Sequence, residues 1–204
     1  IETLLRNIEF VITPELSLFV PALGPCDYAV THGHAHPAWS FVYVLSLEGR
    51  FELDGRRLAP PVRDRPWIWA LAPGVAHGEE RLQGHNSYIA FMIDTPLFAR
   101  VLAEYGRKAN ELPRHRMLPE DGELHGFLMA FFREGRQQRP GREGCLHSLA
   151  LLIAHRMARL LTGMEDGEFF GGGLDVQRLA EWVKGRLEER LDTPQLAARL
   201  HMSE

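Results

Sequence analysis

The sequence predicts an α+β fold in which a β-rich part is followed by α-helices. Residues 1–94 contain short runs of β-branched and aromatic residues, separated by Gly, Pro and Asp-Gly turns. After Thr95 the apolar residues recur every three or four positions, as in amphipathic helices. Hydrophobic residues make up 45% of the 204 residues and charged residues 25%, which indicates an ordinary globular protein. We therefore expect a β-sandwich or barrel, followed by helices.

The clearest strand pattern covers residues 39–46. Because alternate side chains of a strand point to opposite faces, this strand has two sets of residues. One face carries Trp39, Phe41, Tyr43 and Leu45, and the other carries Ser40, Val42, Val44 and Ser46. Further strands are predicted at 8–12, 16–20, 50–53, 67–72 and 87–93.

Three helices are predicted in residues 95–164. The first begins at Thr95, expected as the N-cap, with Pro96 in its first turn. Longer helical stretches follow at 121–138 and 144–161. The last has one narrow apolar seam, made of Leu146, Leu149, Ile153, Met157 and Leu160. The seam fits packing on the chain's own sheet or on a second copy, and we expect it to form a homodimer.

The segment 165–173 is rich in Gly and acidic residues and is predicted to be a loop. Helical patterns resume at 174–189 and 193–200. Thr193-Pro194 again has the residue types that favour a helix start.

Charge and cysteine content exclude several classes of protein. The chain has 23 Lys and Arg against 27 Asp and Glu, a net charge of −4, so DNA contact must be local or lie outside this chain. Cys26 and Cys145 fit no disulfide framework or zinc motif, which predicts a reducing, cytoplasmic location. No apolar run approaches the roughly 20 residues of a membrane span.

Three histidines carry the main chemical signal. His34 and His36 are two residues apart, so both imidazoles can face one space. His77 follows the turn-forming segment 72–76. Three neutral imidazoles could hold a divalent metal or form hydrogen bonds with a polar ligand. The spacing leaves both alternatives open.

Residues 34–49 and 72–77 resemble the two conserved motifs of the cupin barrel. The match holds at His34, His36 and His77, whereas the Glu of the first cupin motif falls on Ser40. The resemblance implies a double-stranded β-helix. It also implies a metal site at the three histidines, which the loss of the acidic ligand disfavours, so no cofactor is expected.

Residues 191–203 resemble the opening of the DNA-binding domain of AraC/XylS-type transcription regulators. In this resemblance Ser203 caps the recognition helix, and His201 stands at a turn position where the family usually has Gly. The matching positions are Thr193, Leu196, Ala197, Leu200 and Ser203. The base-reading residues are then expected beyond Glu204.

Together the resemblances imply the sensor and dimerisation portion of an AraC-type regulator, not an enzyme. They divide the chain into a cupin-like barrel (1–94), a helical linker and dimerisation region (95–164), a Gly-rich loop (165–173) and a truncated helix-turn-helix domain (174–204). The expected partners are a small-molecule effector, a second copy of the chain, and DNA through the complete C-terminal domain. The effector-binding candidates are His34, His36, Ser40, Val42, Trp67, Trp69 and His77. The alternative is a metal-dependent cupin enzyme, a dioxygenase or isomerase using the three histidines.

Overall fold

The computed structural model describes residues 8–21, 33–46, 50–58, 66–80 and 87–163. The Gly-rich loop and the residues that resemble a helix-turn-helix domain (Thr193, Leu196, Ala197, Leu200 and Ser203) lie outside the described residues. Contacts divide the chain into two compact units, Ile1–Thr162 and Gly163–Glu204. The first unit is described below.

Nine strands and three α-helices occur in the described residues. The strands are β1 (Ile8–Ile12), β2 (Leu16–Pro21), β3 (Trp39–Ser46), β4 (Arg50–Leu53), β5 (Arg56–Leu58), β6 (Trp67–Leu71), β7 (His77–Glu80), β8 (Ser87–Ile93) and β9 (His115–Pro119). The helices are α1 (Thr95–Glu104), α2 (Gly122–Gly135) and α3 (Arg142–Thr162).

The strands form two antiparallel sheets, which confirms the α+β class. The large sheet has the order β1-β2-β8-β3-β6-β9, and the small sheet has the order β5-β4-β7. The described strands do not close into a barrel, because β1 and β9 end the large sheet instead of pairing with the small one. The two sheets instead pack through side chains.

Both faces of the large sheet are buried at its centre, in β3, β6 and β8. Its helix face belongs to one apolar cluster with α1, α2 and α3, and its inner face belongs to a second cluster with Leu53 and Val75. The alternation predicted for β3 is confirmed, because Trp39, Phe41 and Tyr43 lie in the first cluster and Val42 and Val44 in the second. Each fully buried large apolar side chain contributes about 1.5–3 kcal/mol. This is why β3 alternates between two apolar sets rather than between apolar and polar residues.

The helical region is not a separate segment of the fold. Residues 115–119 were expected in a helical region but form β9, which pairs with β6 in the large sheet. This strand is too short to show a period of its own. The three helices cover the sheet face that β3, β6 and β8 present to them. The boundary expected after residue 94 therefore crosses one shared core.

The seam predicted for dimerisation belongs largely to this core. In the single chain Leu146, Ile153 and Met157 are 2%, 0% and 0% exposed, while Leu149 and Leu160 are partly buried. The dimer interpretation is therefore wrong for the three buried side chains, because the apolar sheet face already covers them. A homodimer through another surface stays a prediction.

Helix starts follow local hydrogen bonding. Asp94, not Thr95, is the N-cap of α1, since its carboxylate accepts a hydrogen bond from the Leu97 amide at 3.2 Å. The Thr95 hydroxyl instead donates to the Pro37 carbonyl at 3.1 Å. At the start of α2 the Asp121 carboxylate accepts from the Leu124 amide at 2.7 Å.

Asp121 also ties β3, α2 and α3 together. The Tyr43 hydroxyl donates to the Asp121 carbonyl at 3.1 Å, and the Asp121 amide donates to the Tyr43 oxygen at 3.2 Å. The Arg156 guanidinium of α3 donates to both carboxylate oxygens, at 2.6 and 3.1 Å. Such a bidentate, charge-assisted pair fixes geometry as well as adding stability.

The far end of α2 lies directly on β1. A Cβ atom added to Gly135 would be 2.9 Å from Cβ of Val11, a contact that real side chains do not make. Arg136 forms an ion pair with Glu9 beside this contact. Glycine is therefore required here for close packing of the helix end on the strand.

Candidate functional site

The backbone brings the three histidines to one place. The amides and carbonyls of His34 and His77 exchange two hydrogen bonds of 2.9 Å each, which extends the small sheet beyond β7. The Gly74 amide donates to the His36 carbonyl at 2.8 Å. Gly74 has φ +77°, a conformation that glycine adopts without strain. The turn before β7 is thereby fastened to the segment before β3.

The three imidazoles converge, as their spacing predicted. The ring centroids are 4.2 Å apart for His34 and His77, 4.9 Å for His34 and His36, and 5.3 Å for His36 and His77. One ring nitrogen from each residue lies within 4.8 Å of the other two. The site can therefore present three nitrogen atoms to one ligand.

Burial keeps the imidazoles of His36 and His77 neutral near pH 7. It lowers the pKa of His36 to about 4, and the neighbouring His34 and His77 lower it further in smaller steps. Burial also lowers the pKa of His77, although a hydrogen bond to the Val75 carbonyl acts in the opposite direction. His36 and His77 thus offer polar nitrogen atoms without a fixed positive charge.

The tautomer of His77 follows from its hydrogen bond. Its Nδ1 lies 2.9 Å from the Val75 carbonyl oxygen, which can only accept, so Nδ1 carries the proton. Nε2 then carries the lone pair of the neutral ring and can accept a hydrogen bond. His77 is only 7% exposed, and Nε2 makes no hydrogen bond within the described part of the chain. Nε2 therefore remains as an acceptor for a hydrogen bond from a ligand or a water molecule.

The other candidates lie on the inner face of the large sheet. Ser40 and Val42 are buried there, and the Ser40 hydroxyl donates weakly to the Ala38 carbonyl at 3.4 Å. Trp67 and Trp69 share this face, as predicted, but both are packed into the inner apolar cluster. The Trp69 ring lies edge-on to His77 with centroids 5.9 Å apart. The Trp69 ring is thus the apolar surface against which His77 packs.

Several inner-face residues did not stand out in the sequence. Phe10 and Ile12 of β1 are 51% and 60% exposed. Phe19 of β2 pairs with Phe10, and Met92 lies one strand further on, in β8. Their relation to the histidines depends on which strands are neighbours. The order of strands in the sheet is a long-range property that strand patterns alone do not contain.

The three histidines fit a divalent metal in donor type, and the tautomer of His77 leaves its Nε2 available as a ligand. Zinc binds imidazole nitrogen at about 2.0–2.1 Å in a tetrahedral arrangement, so two nitrogens on one ion lie about 3.3 Å apart. A separation of up to 4.8 Å would therefore have to close by up to about 1.5 Å. Ser40 supplies no anionic ligand, which leaves the charge of the ion without compensation from that position.

The sequence matches no family model and no curated protein. Among solved structures, it is similar to the AraC-like transcriptional activator CuxR at 12% identity, covering 92% of this chain and 66% of the activator, with a TM-score of 0.48. It is also similar to ToxT from Vibrio cholerae at 10% identity, covering 98% and 71%, with a TM-score of 0.41. A cupin protein from Bacteroides fragilis matches at 16% identity over 41% of this chain and 69% of its own, with a TM-score of 0.32. The described helices include none long and apolar enough to cross a membrane.

Proposed function

We propose that this chain is the sensor portion of an AraC-type transcription regulator and binds a small-molecule effector at the three histidines. The observation that carries the proposal is the acceptor nitrogen of His77, a residue that lies beside two further imidazoles and against the indole ring of Trp69. Small-molecule sites combine a few convergent polar groups with apolar surface in this way.

The regulatory part of the proposal is supported by the sequence. Residues 191–203 resemble the start of an AraC-type DNA-binding domain, and they follow the sensor region in the order that the family uses. The net charge of −4 fits a sensor that leaves DNA contact to a C-terminal domain. Because such domains read paired half-sites, the active form is a homodimer.

The contacts of β3 suggest how an effector signal leaves the site. Ser40 and Val42 face the inner side, whereas Tyr43 on the same strand holds the N-cap of α2 through two hydrogen bonds. Arg156 of α3 binds the same N-cap residue. An effector that has different affinities for two positions of β3 shifts the balance between two arrangements of the helices.

A metal-dependent cupin enzyme or a metal sensor is the second candidate. It is favoured by the three ligand nitrogens within 4.8 Å of one another. His34, His36 and His77 would hold the ion, which would supply a Lewis acid for polarising a bound ligand. His77 is prepared for this role because its Nδ1 proton is held by the Val75 carbonyl.

Elemental analysis and thermal unfolding of the purified protein distinguish the two candidates. The sensor predicts protein that is mostly metal-free and that is stabilised by one member of a panel of phenols, sugars, aromatic acids and fatty acids. His77→Ala should abolish this stabilisation, while the control His147→Ala, at an exposed position of α3, should retain it. Near-stoichiometric iron, manganese or zinc, lost in each of the three single histidine variants, would instead favour the metal candidate.

A further inference from the structure

The inner face of the large sheet continues well beyond the histidines. Directly paired residues of antiparallel strands lie on the same face, so the strand register defines rows across the sheet. The row beneath His77 runs Met117, Trp69, Val42, Ala90, Phe19, Phe10. We call it the apolar row. The adjacent row runs His115, Leu71, Ser40, Met92, Ser17, Ile12.

The apolar row changes from covered to open along its length. Trp69 is fully buried below His77, and Val42 is buried beside it. Ala90 and Phe19 are partly exposed, and Phe10 at the sheet edge is 51% exposed. The row therefore leads from a covered polar cluster to an open apolar surface, which is the shape of a site entered from one side.

Strand spacing gives the length of this surface. Neighbouring strands are about 4.8 Å apart, so Phe19 lies about 14 Å from Trp69 and Phe10 about 19 Å from it. The Phe10 and Phe19 rings are 6.4 Å apart and tilted by 40°. Two adjacent, partly exposed phenyl rings favour an aromatic partner that can pack against their faces and edges.

The charge of the two rows restricts the ligand further. None of their twelve residues is Lys, Arg, Asp or Glu, and the polar members are Ser17, Ser40 and His115. A ligand charge placed over these rows would lose hydration without gaining an opposite charge from them. An uncharged body is therefore favoured.

We propose that the effector is an uncharged, elongated aromatic molecule whose hydroxyl group donates to Nε2 of His77 and whose rings lie along the apolar row toward Phe19 and Phe10. The proposal rests on the proposed function, because it names the class of ligand for the same site. It adds Phe10, Phe19 and Ala90 to the binding surface.

Isothermal titration calorimetry with phenol, 4-hydroxystilbene and stilbene-4-carboxylate tests this. Phenol occupies only the histidine end, whereas the two stilbenes have the same length and differ in charge. We expect 4-hydroxystilbene to bind at least tenfold more tightly than either of the others, because its second ring covers additional apolar surface. His77→Ala should weaken both phenols.

Variants locate the second ring. Phe10→Ser and Phe19→Leu should each weaken 4-hydroxystilbene threefold or more and leave phenol unchanged. Leu152→Ser is the matched control, because Leu152 is 46% exposed on α3, away from the apolar row. Phe10→Ser changes an exposed side chain, so it serves if Phe19→Leu does not fold by circular dichroism.

The possible failures are distinguishable. Equal binding of phenol and 4-hydroxystilbene, both sensitive to His77→Ala, would overturn the apolar-row proposal and leave the effector site in place. Tighter binding of the carboxylate would overturn the uncharged class. If no phenol and no member of the effector panel binds in a His77-dependent manner, the proposed function itself is wrong.

Discussion

Two neighbouring residues of α3 should respond oppositely to the same substitution. Ile153 is fully buried between α3 and the large sheet, whereas Leu152 is 46% exposed. In Ile153→Glu, removal of the buried side chain costs about 2–5 kcal/mol, and an unpaired buried carboxylate costs several more. The total is comparable with a typical stability of about 5–15 kcal/mol. We expect Ile153→Glu not to fold, and Leu152→Glu to change stability by no more than about 0.5 kcal/mol.

Circular dichroism, urea denaturation and light scattering check this pair. Ile153→Glu should lose its cooperative transition, and Leu152→Glu should keep the wild-type midpoint. A folded, monomeric Ile153→Glu obtained from a dimeric wild type would refute the reasoning, because it would place the seam of α3 between two chains. If Leu152→Glu is the variant that turns a dimer into a monomer, the outer face of α3 is the interface.

Three further predictions concern stability. Gly135→Ala should lower the free energy of unfolding by about 1–3 kcal/mol in urea denaturation, because the new methyl group overlaps β1. Gly126→Ala, in an open position of the same helix, should raise the free energy of unfolding by up to about 1 kcal/mol. Because the pKa of His36 is lowered from 6.5 to about 4, the unfolded state alone takes up this proton as the pH falls through that range. The free energy of unfolding should then decrease by about 1–2 kcal/mol as the pH falls, after allowance for solvent screening. Urea denaturation at a series of pH values in EDTA should show a shallower decrease for His36→Asn than for the wild type. Asp121→Ala removes a helix cap and one of the two acidic partners of the partly buried Arg156. Thermal unfolding should show a cost of about 2–4 kcal/mol for Asp121→Ala, against about 1 kcal/mol for Asp94→Ala, which removes mainly a cap.

Local patterns predicted much of the fold. The alternation in β3, the first-turn proline of α1 and the turn before β7 depend on neighbouring residues, and the structure agrees with each of them except for the N-cap. The N-cap of α1 differs because Asp94 and Thr95 both have suitable side chains. Tertiary contact with Pro37 engages the threonine, and aspartate remains for the cap.

Long-range pairing was the part that the sequence could not supply. The seam of α3 looks the same whether a sheet or a second helix covers it, since burial requires only an apolar partner. The strand β9 has no period long enough to separate it from its helical surroundings. At the site, spacing predicted that the histidines meet, but only the register places Phe19 and Phe10 in line with them.

Because β3 is buried on both faces, its side chains belong to two apolar cores. Neither side offers solvent into which a larger side chain could expand, so a bulkier residue on the inner face must push the backbone toward the helices. The distance involved is one residue, from Val42 under the site to Tyr43 on the α2 cap. Substitutions in the binding surface and in the helices that cover β3 are therefore coupled. A substitution of Val42 that changes effector specificity would require compensating substitutions in the helices, which no effector contacts.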